Sequence, residues 1–496
     1  MVSRNILATL IGNGWTALLG IFFIPLYLHF LGIEAYGLVG FYATLLAFFN
    51  LLDLGMGSTL NREFAKVSGS ERPRPEQRDL LRTFEIIYWI LSIAVGLSLL
   101  AAAPLIASHW IHPAKMPAAS VMTSIRLMAL TLTVQFPFAL YQSGLMGLQQ
   151  HVRLNEILAA VVTARSVGAV LILWMISPTI EAFLLWQLIV GLAATVACAL
   201  IVWRSITDSH RATFQYSYLR RLWRFAGAVG AIAFVTAIFS QADKLILSKW
   251  LKLDAFGSYM LAQSLAGALF SVVLPFSLAV FPRFSQLAAA NATAQISELY
   301  HRASQSLSVL LLPTFLMFVF FSRDILLTWT ADPAVATRTA LKLSVVAFGA
   351  VAFCIAEIPH FLRLAYGWWR LSLVAKALLI LCFLPLVRFM TLHFGVIGAA
   401  ATWSGVNILY LITVPITHTR LLPKEFSRWL REDVGLPLIG SLSIIVVAAF
   451  FRPTDLSRAE DLLFLISTWS SAVILAGLLS RDVRGFVWMV VRRWSY

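Results

Sequence analysis

Charge is what this sequence has least of. Asp, Glu, Lys and Arg make up 12% of its 496 residues, where a soluble domain carries about 25%. With 60% hydrophobic residues and a mean hydropathy of +0.83, the apolar excess cannot be hidden in a water-soluble core. Lipid must be the solvent for most of the surface. Cysteine is nearly absent too. Cys198, Cys354 and Cys382 all lie in apolar runs, without CxxC or metal-ligand spacing, which argues against a disulfide framework. The patterns G-x-x-x-x-G-K-[ST], G-x-S-x-G and H-E-x-x-H are missing. ATP hydrolysis by this chain is therefore not expected, and no cofactor is.

Acid is scarcer than base: 23 Asp and Glu stand against 38 Lys and Arg, for a net charge of +15. Nucleic-acid binding would need a contiguous basic face or a recognisable binding fold. Here the basic residues sit in short segments between apolar runs, so no nucleic-acid partner is expected. Their positions report topology instead.

What is abundant is runs of about 20 apolar residues, the length that spans a bilayer. They fall at 6–30, 37–61, 83–107, 121–148, 156–177, 181–203, 224–249, 257–281, 304–330, 339–363, 371–390, 394–417, 434–451 and 462–480. The first is too long for a signal peptide and no cleavage site follows it, so it reads as an uncleaved helix. The expected fold class is an all-α polytopic membrane protein of about 14 transmembrane helices. With the N-terminus inside, cytoplasmic segments hold 25 Lys and Arg, Arg363 and Arg370 among them, and the opposite segments hold 8. That asymmetry puts both termini in the cytoplasm. Segments 65–82 and 282–303 read as polar cytoplasmic loops, the second with a short amphipathic helix over 294–304. External loops are short. The first is Leu31 to Tyr36, and 108–120 offers His109, His112 and Lys115 without a carboxylate, a poor base for an external catalytic centre.

A repeat is visible. Leu31-Gly-Ile-Glu-Ala-Tyr-Gly37 matches Leu251-Lys-Leu-Asp-Ala-Phe-Gly257 at an offset of 220, and His151-Val-Arg-Leu154 echoes Trp368-Trp-Arg-Leu371 at 217. Six spans separate equivalent points. That predicts two parallel six-helix lobes related by a pseudo-twofold along the membrane normal, with the last two helices added. The expected division is 1–204 for the first lobe, 205–223 for a basic linker, 224–418 for the second lobe, and 419–496 for the added helices and basic tail.

Charge inside the spans is the informative chemistry, because each such group costs a few kcal/mol unless it faces a bundle interior or a wet cavity. Arg165 lies near the middle of the fifth span, and Lys376 reads at similar depth in the eleventh, the repeat partner of the fifth. Arg126 and Lys244 lie nearer the external side, where snorkelling is the competing explanation and Asp243 a neutralising neighbour. Asp53 precedes Leu54-Gly-Met-Gly57, which suggests a helix break or a pair with Arg62. Glu357 has His360 and Arg363 as candidate partners. These four cations within the spans suit an anionic cargo, with charges and forks matched to phosphate. Asn13, between Gly12 and Gly14, and the prolines at 25, 137, 275 and 313 interrupt helices as cavity linings or bending points do.

Several of these residues carry a resemblance. Gly12 through Pro25, Leu31-Gly32, Glu34, Tyr36-Gly37, Leu52-Asp53-Leu54-Gly55, Arg62, Val280-Phe-Pro-Arg283 and Phe394-Gly-Val-Ile-Gly-Ala-Ala400 resemble, in that order, the Wzx-type polysaccharide flippases of the superfamily shared with MATE exporters. The resemblance covers most of residues 5–420. It implies a two-lobed 12-helix core, often with two extra helices, in the bacterial inner membrane. It also implies a cargo of undecaprenyl-diphosphate-linked oligosaccharide, moved from the cytoplasmic to the periplasmic leaflet for O-antigen, capsule or exopolysaccharide synthesis. Membrane lipids and other polysaccharide assembly proteins are the further expected partners. Cationic side chains of the cavity would hold the head group, with Arg126, Arg165, Lys244 and Lys376 as candidates and Asp53, Glu357 and Asn13 in coupling or gating. No metal site is expected. A MATE-like small-molecule exporter and a lipid II flippase, which shares the 14-helix plan, remain alternatives, and a membrane glycosyltransferase or polymerase stands further off.

Overall fold

A computed structural model describes residues 12, 14–67, 76–206, 211–453 and 456–485. They are helical nearly throughout and form no strand, only one isolated bridge between His112 and Lys252. In hydrocarbon every backbone N–H and C=O needs a partner within its own segment, which the helix supplies. The helices are α1 (Ile24–Asn50), α2 (Met56–Val67), α3 (Glu76–His109), α4 (Ala118–Gly147), α5 (His151–Met175), α6 (Ile180–Ser205) and α7 (Tyr216–Trp250). Then follow α8 (Leu253–Ala289), α9 (Thr293–Phe320), α10 (Ser322–Thr330), α11 (Pro333–Ala365), α12 (Arg370–Tyr410), α13 (Thr413–Leu421), α14 (Leu436–Phe450) and α15 (Arg458–Leu479). Among the described residues 11 stretches are long and apolar enough to cross a membrane. The chain is an all-α polytopic membrane protein.

Two of the helices hide a link that the sequence places between spans. Gly32 (φ 78°, ψ 170°) breaks α1 within the Leu31–Tyr36 link, and Gly395 (φ 59°, ψ −141°) breaks α12 next to the expected turn at 391–394. Both angles lie where a side chain would be strained, and each glycine kinks its helix there. A third break is longer. After Asp53 the chain passes through Leu54 (φ 46°) and Gly55 (φ 78°) before α2 begins.

The two cytoplasmic loops are shorter than their sequence suggests. Helix α2 runs to Val67 and α3 starts at Glu76, so only the interval between them, which lies outside the described residues, is left of the loop 65–82. Between α8 and α9 only residues 290–292 are non-helical, and the amphipathic segment 294–304 is the opening of α9 rather than a separate helix. Nothing in that stretch breaks a helix, so the polar turns continue the apolar ones.

Contacts divide the chain into two compact units, Met1–Gly257 and Ser258–Tyr496. In the first, α4 is central, packed by α2, α3 and α6. Helix α5 is peripheral, and Leu154, Ser166, Ala169 and Leu173 are its buried residues. In the second unit α9 is central, 72% buried, and α11, α14 and α15 pack on it. The last two helices are fastened to this unit at both ends. At one, the fully buried His301 of α9 bonds Asp433 (2.6 Å) and Glu425 (3.2 Å), and Gln305 donates to Asp433 (3.0 Å). Asp433 stands on a π-helical stretch, Trp429–Gly435, that leads into α14. At the other, Arg452 is ion-paired with Asp324 and with Asp461 (3.0 Å), and Thr328 donates to Asp461 (2.7 Å).

The two copies of the longer repeat meet. A Cβ on Gly37 would lie 2.5 Å from the Leu253 carbonyl oxygen, and one on Gly257 would lie 2.1 Å from the Ile33 carbonyl oxygen. Residues 33 and 253, like 37 and 257, are equivalents at offset 220. A contact made reciprocally between equivalent positions is the signature of a local twofold. The loop 108–117 joins the same assembly. Its amides at Ala114, Lys115 and Met116 donate to the Glu34 carboxylate at 2.6–3.2 Å, and Leu253 donates to the His112 carbonyl (2.9 Å). The carboxylate that this loop itself lacks comes from the first motif.

Candidate functional site

Arg165 occupies the middle third of the 25-residue α5 and turns inward toward α4 and α6, half-buried. Gly191 of α6 leaves room for it, since a Cβ there would stand 3.5 Å from one terminal guanidinium nitrogen. In the amide orientation that satisfies both neighbours, the Gln135 oxygen accepts from the two terminal nitrogens of Arg165 at 2.9 and 3.1 Å. The Gln135 nitrogen then donates to the Tyr42 hydroxyl at 2.8 Å. The Arg165 Nε is buried without a partner. Among the described residues Arg165 forms no ion pair with a carboxylate. A guanidinium at this depth, held by an amide and shadowed by a phenol, keeps its charge uncompensated.

The acid nearest in sequence logic is used elsewhere. Asp53 accepts from the backbone N–H groups of Gly55 (3.1 Å) and Gly57 (2.9 Å) and from the Tyr88 hydroxyl. It caps the break before α2, as its sequence context suggested. Glu85 is likewise occupied by Arg82 (2.7 Å), Tyr141 (2.6 Å) and Trp203 (3.1 Å).

The second unit has its own polar cluster, at the start of α12. Lys376 is half-buried about 9 Å along that helix, shallower than Arg165 along α5. Its ammonium lies 5.8 Å from the Phe353 ring centre and 5.7 Å from that of Tyr410. Glu357 of α11 is buried and interacts electrostatically with both Lys376 and Arg363. Arg363 is the correction here. Counted in the sequence as a loop charge, it is fully buried, because α11 continues through it to Ala365. It donates to the Ser372 hydroxyl (3.2 Å), the Thr413 carbonyl (3.3 Å), the Thr417 hydroxyl (2.6 Å) and the Tyr410 hydroxyl (3.3 Å) rather than to Glu357. His360 bonds Ser372 (2.9 Å). Two cations thus face one carboxylate, and the cluster is formally positive.

The other candidates stand apart. Arg126 is on the exposed face of α4 and is no partner of Arg165. Lys244, half-buried on α7, donates to Ser240 O (3.2 Å) and Gln241 Oε1 (3.0 Å) of its own helix. Asn13 lies outside the described residues. Sequence reasoning missed Gln135 and Tyr42, although an amide in the middle of an apolar span was a signal as legible as Arg165.

Helices throughout, apolar faces turned to lipid and a few basic groups held within the spans define a polytopic membrane protein. The model of the family described as polysaccharide biosynthesis protein matches residues 2–288, more than half of the chain, and the chain belongs to that family. No curated protein sequence matches it. Its fold is that of several solved transporters. The lipid II flippase MurJ in an inward closed conformation is 14% identical with a TM-score of 0.74, covering 97% of this chain and 99% of that one. An inward-facing multidrug resistance MATE family transporter of the MOP superfamily is 10% identical with a TM-score of 0.66, covering 90% and 96%. A MOP superfamily transporter from Pyrococcus furiosus, described as having a binding pocket of reverse polarity that suggests a different function, is 12% identical with a TM-score of 0.56, covering 90% and 96%.

Proposed function

We infer that the chain is a flippase that carries undecaprenyl-diphosphate-linked oligosaccharide from the cytoplasmic to the periplasmic leaflet of the bacterial inner membrane by alternating access, in O-antigen, capsule or exopolysaccharide synthesis. Membership of the polysaccharide biosynthesis family supports the pathway. The observation that carries the cargo's charge is Arg165, a guanidinium inside the spans whose polar partner among the described residues is a neutral amide. A diphosphate would supply the missing countercharge through a forked, charge-assisted contact. Gln135 keeps the fork oriented when the site is empty and competes for it when cargo leaves, so binding need not be irreversible. Lys376 and Arg363 give the second unit a positive cluster with Glu357 as its partial counterion. The reading involves no covalent step.

An exporter of small organic cations would need free carboxylates in the spans. Asp53 and Glu85 are instead engaged by hydrogen-bond donors, and Glu357 faces two cations, Lys376 and Arg363. The reading is tested in proteoliposomes holding a fluorescent lipid-linked oligosaccharide, with membrane-impermeant quencher outside. The expected result is an increase of the quenchable fraction beyond the outer-leaflet half, and no efflux of an organic cation. Efflux of the cation without flipping overturns the reading, and flipping of lipid II alone transfers it to that cargo.

A further inference from the structure

The shorter repeat echo, Trp368-Trp-Arg-Leu371, is used by neither polar cluster. At the end of α11, Gly367 (φ 70°) turns the chain, and Trp368 N donates to Arg363 O at 2.8 Å. This sets two tryptophans side by side before α12. Arg420, at the close of α13, lies over Trp368, its Cζ 4.3 Å from the ring centre. Arg370 lies 5.9 Å from the Trp369 ring. Tyr366, Trp369, Arg370 and Arg420 are exposed, and among the described residues neither arginine is paired with a carboxylate. The positive-charge pattern puts this end of the helices at the cytoplasm. There, exposed Trp and Tyr rings sit at headgroup level. An indole against the face of a guanidinium leaves the in-plane N–H donors open, and those donors match phosphate oxygens.

The equivalent turn of the first unit differs. In His151-Val-Arg-Leu154 there is no tryptophan, and Arg153 donates to Gln150 (3.3 Å). The aromatic-backed pair is thus particular to one copy of the repeat.

We propose that Trp368, Trp369, Arg370 and Arg420 form a binding site for the phosphate of an anionic phospholipid headgroup in the cytoplasmic leaflet. The indoles lie along the upper acyl region while the two guanidiniums converge on the phosphate from their open edges. Bilayer phospholipid fits better than cargo because the site is exposed at headgroup level, whereas the deep cations are shielded within the spans.

The full chain in nanodiscs of mixed phosphatidylcholine and phosphatidylglycerol, extracted gently and examined by native mass spectrometry, tests this. The wild type should retain phosphatidylglycerol. Arg420→Gln should lower that retention about fivefold, the effect of one surface charge on anionic-lipid attraction, and Trp368→Leu, which removes the ring that Arg420 rests on, should lower it in the same direction, while retained phosphatidylcholine is unchanged. Arg420→Lys should fall between, and Arg153→Gln should match the wild type. Should Trp368→Leu fold poorly, the exposed Arg420 variant carries the test. Wild-type retention by Arg420→Gln overturns the proposal, as does an equal loss from Arg153→Gln, which would mean bulk charge only. If the wild type holds a polyprenyl diphosphate here and never phosphatidylglycerol, the site belongs to the cargo and the headgroup assignment is wrong.

Discussion

Gly257→Ala is the sharpest perturbation of the fold. Its new Cβ would stand 2.1 Å from the Ile33 carbonyl oxygen, where ordinary contact begins at 3.4 Å. The obstacle is backbone, which cannot swing aside as a side chain can, so the two motifs must part by more than an ångström. Overpacking of this kind costs about 1–3 kcal/mol. If Gly37 and Gly257 touch in every state, that cost falls on folding and lowers the melting temperature. If the motifs meet in only one state of a transport cycle, about 2 kcal/mol shifts the balance toward the parted state roughly 30-fold. Single-cysteine labelling at Ala35, which is buried beside the contact, separates the two. Labelling should rise with stability unchanged in the second case, and stability should fall in the first. Gly37→Ala, 2.5 Å from the Leu253 oxygen, should act in the same direction because the contact is reciprocal. Gly267→Ala, with nothing within 4 Å of the new methyl, should do neither. Wild-type stability and labelling in Gly257→Ala would refute the reciprocal contact.

Other consequences follow from single clusters. Replacing His301 by Leu leaves the buried Asp433 with Gln305 as its remaining side-chain donor among the described residues, and losing one hydrogen bond to a buried carboxylate costs about 1.5–3 kcal/mol. Thermal unfolding in detergent should show it, while Arg302→Ala, whose pair with Glu298 is exposed, should shift stability by about 0–1 kcal/mol. In a background lacking the exposed Cys382, a cysteine at Ala114 should react with impermeant reagent in intact cells. One at Ser217 should react only after permeabilisation, and the reverse pattern would invert the topology.

Much of the fold is legible because lipid allows so few solutions. Apolar run length gives the spans, and the break at Asp53-Leu54-Gly55 and the turns at Gly32 and Gly395 fall where small residues interrupt them. The repeat is legible as well, but an offset of 220 cannot say that its copies touch. Helix ends are less legible, since they depend on packing rather than hydropathy. Arg363 reads as a loop charge because it follows the apolar run, yet Ser372, Tyr410, Thr413 and Thr417 provide enough acceptors to draw it inside the helix. His301 and Asp433 are 132 residues apart in the chain, and no local pattern announces their pairing. Of the candidate cations, depth marked Arg165 and Lys376 alike, and both are half-buried in their helices. Depth could not tell the exposed Arg126 from the half-buried Lys244, both read as nearer the external side, because the face a residue presents depends on which helices surround it.

The central claim is that the deep charge of Arg165 holds an anionic cargo, and glycan export in cells carrying Arg165 variants tests it most directly. Arg165→Ala should abolish export while membrane level and melting temperature stay at wild-type values, because its partners Gln135 and Tyr42 are neutral and are left with no buried charge. Arg165→Lys, which keeps the charge and loses the fork, should retain part of the export. Normal export by a stable Arg165→Ala protein would contradict the account.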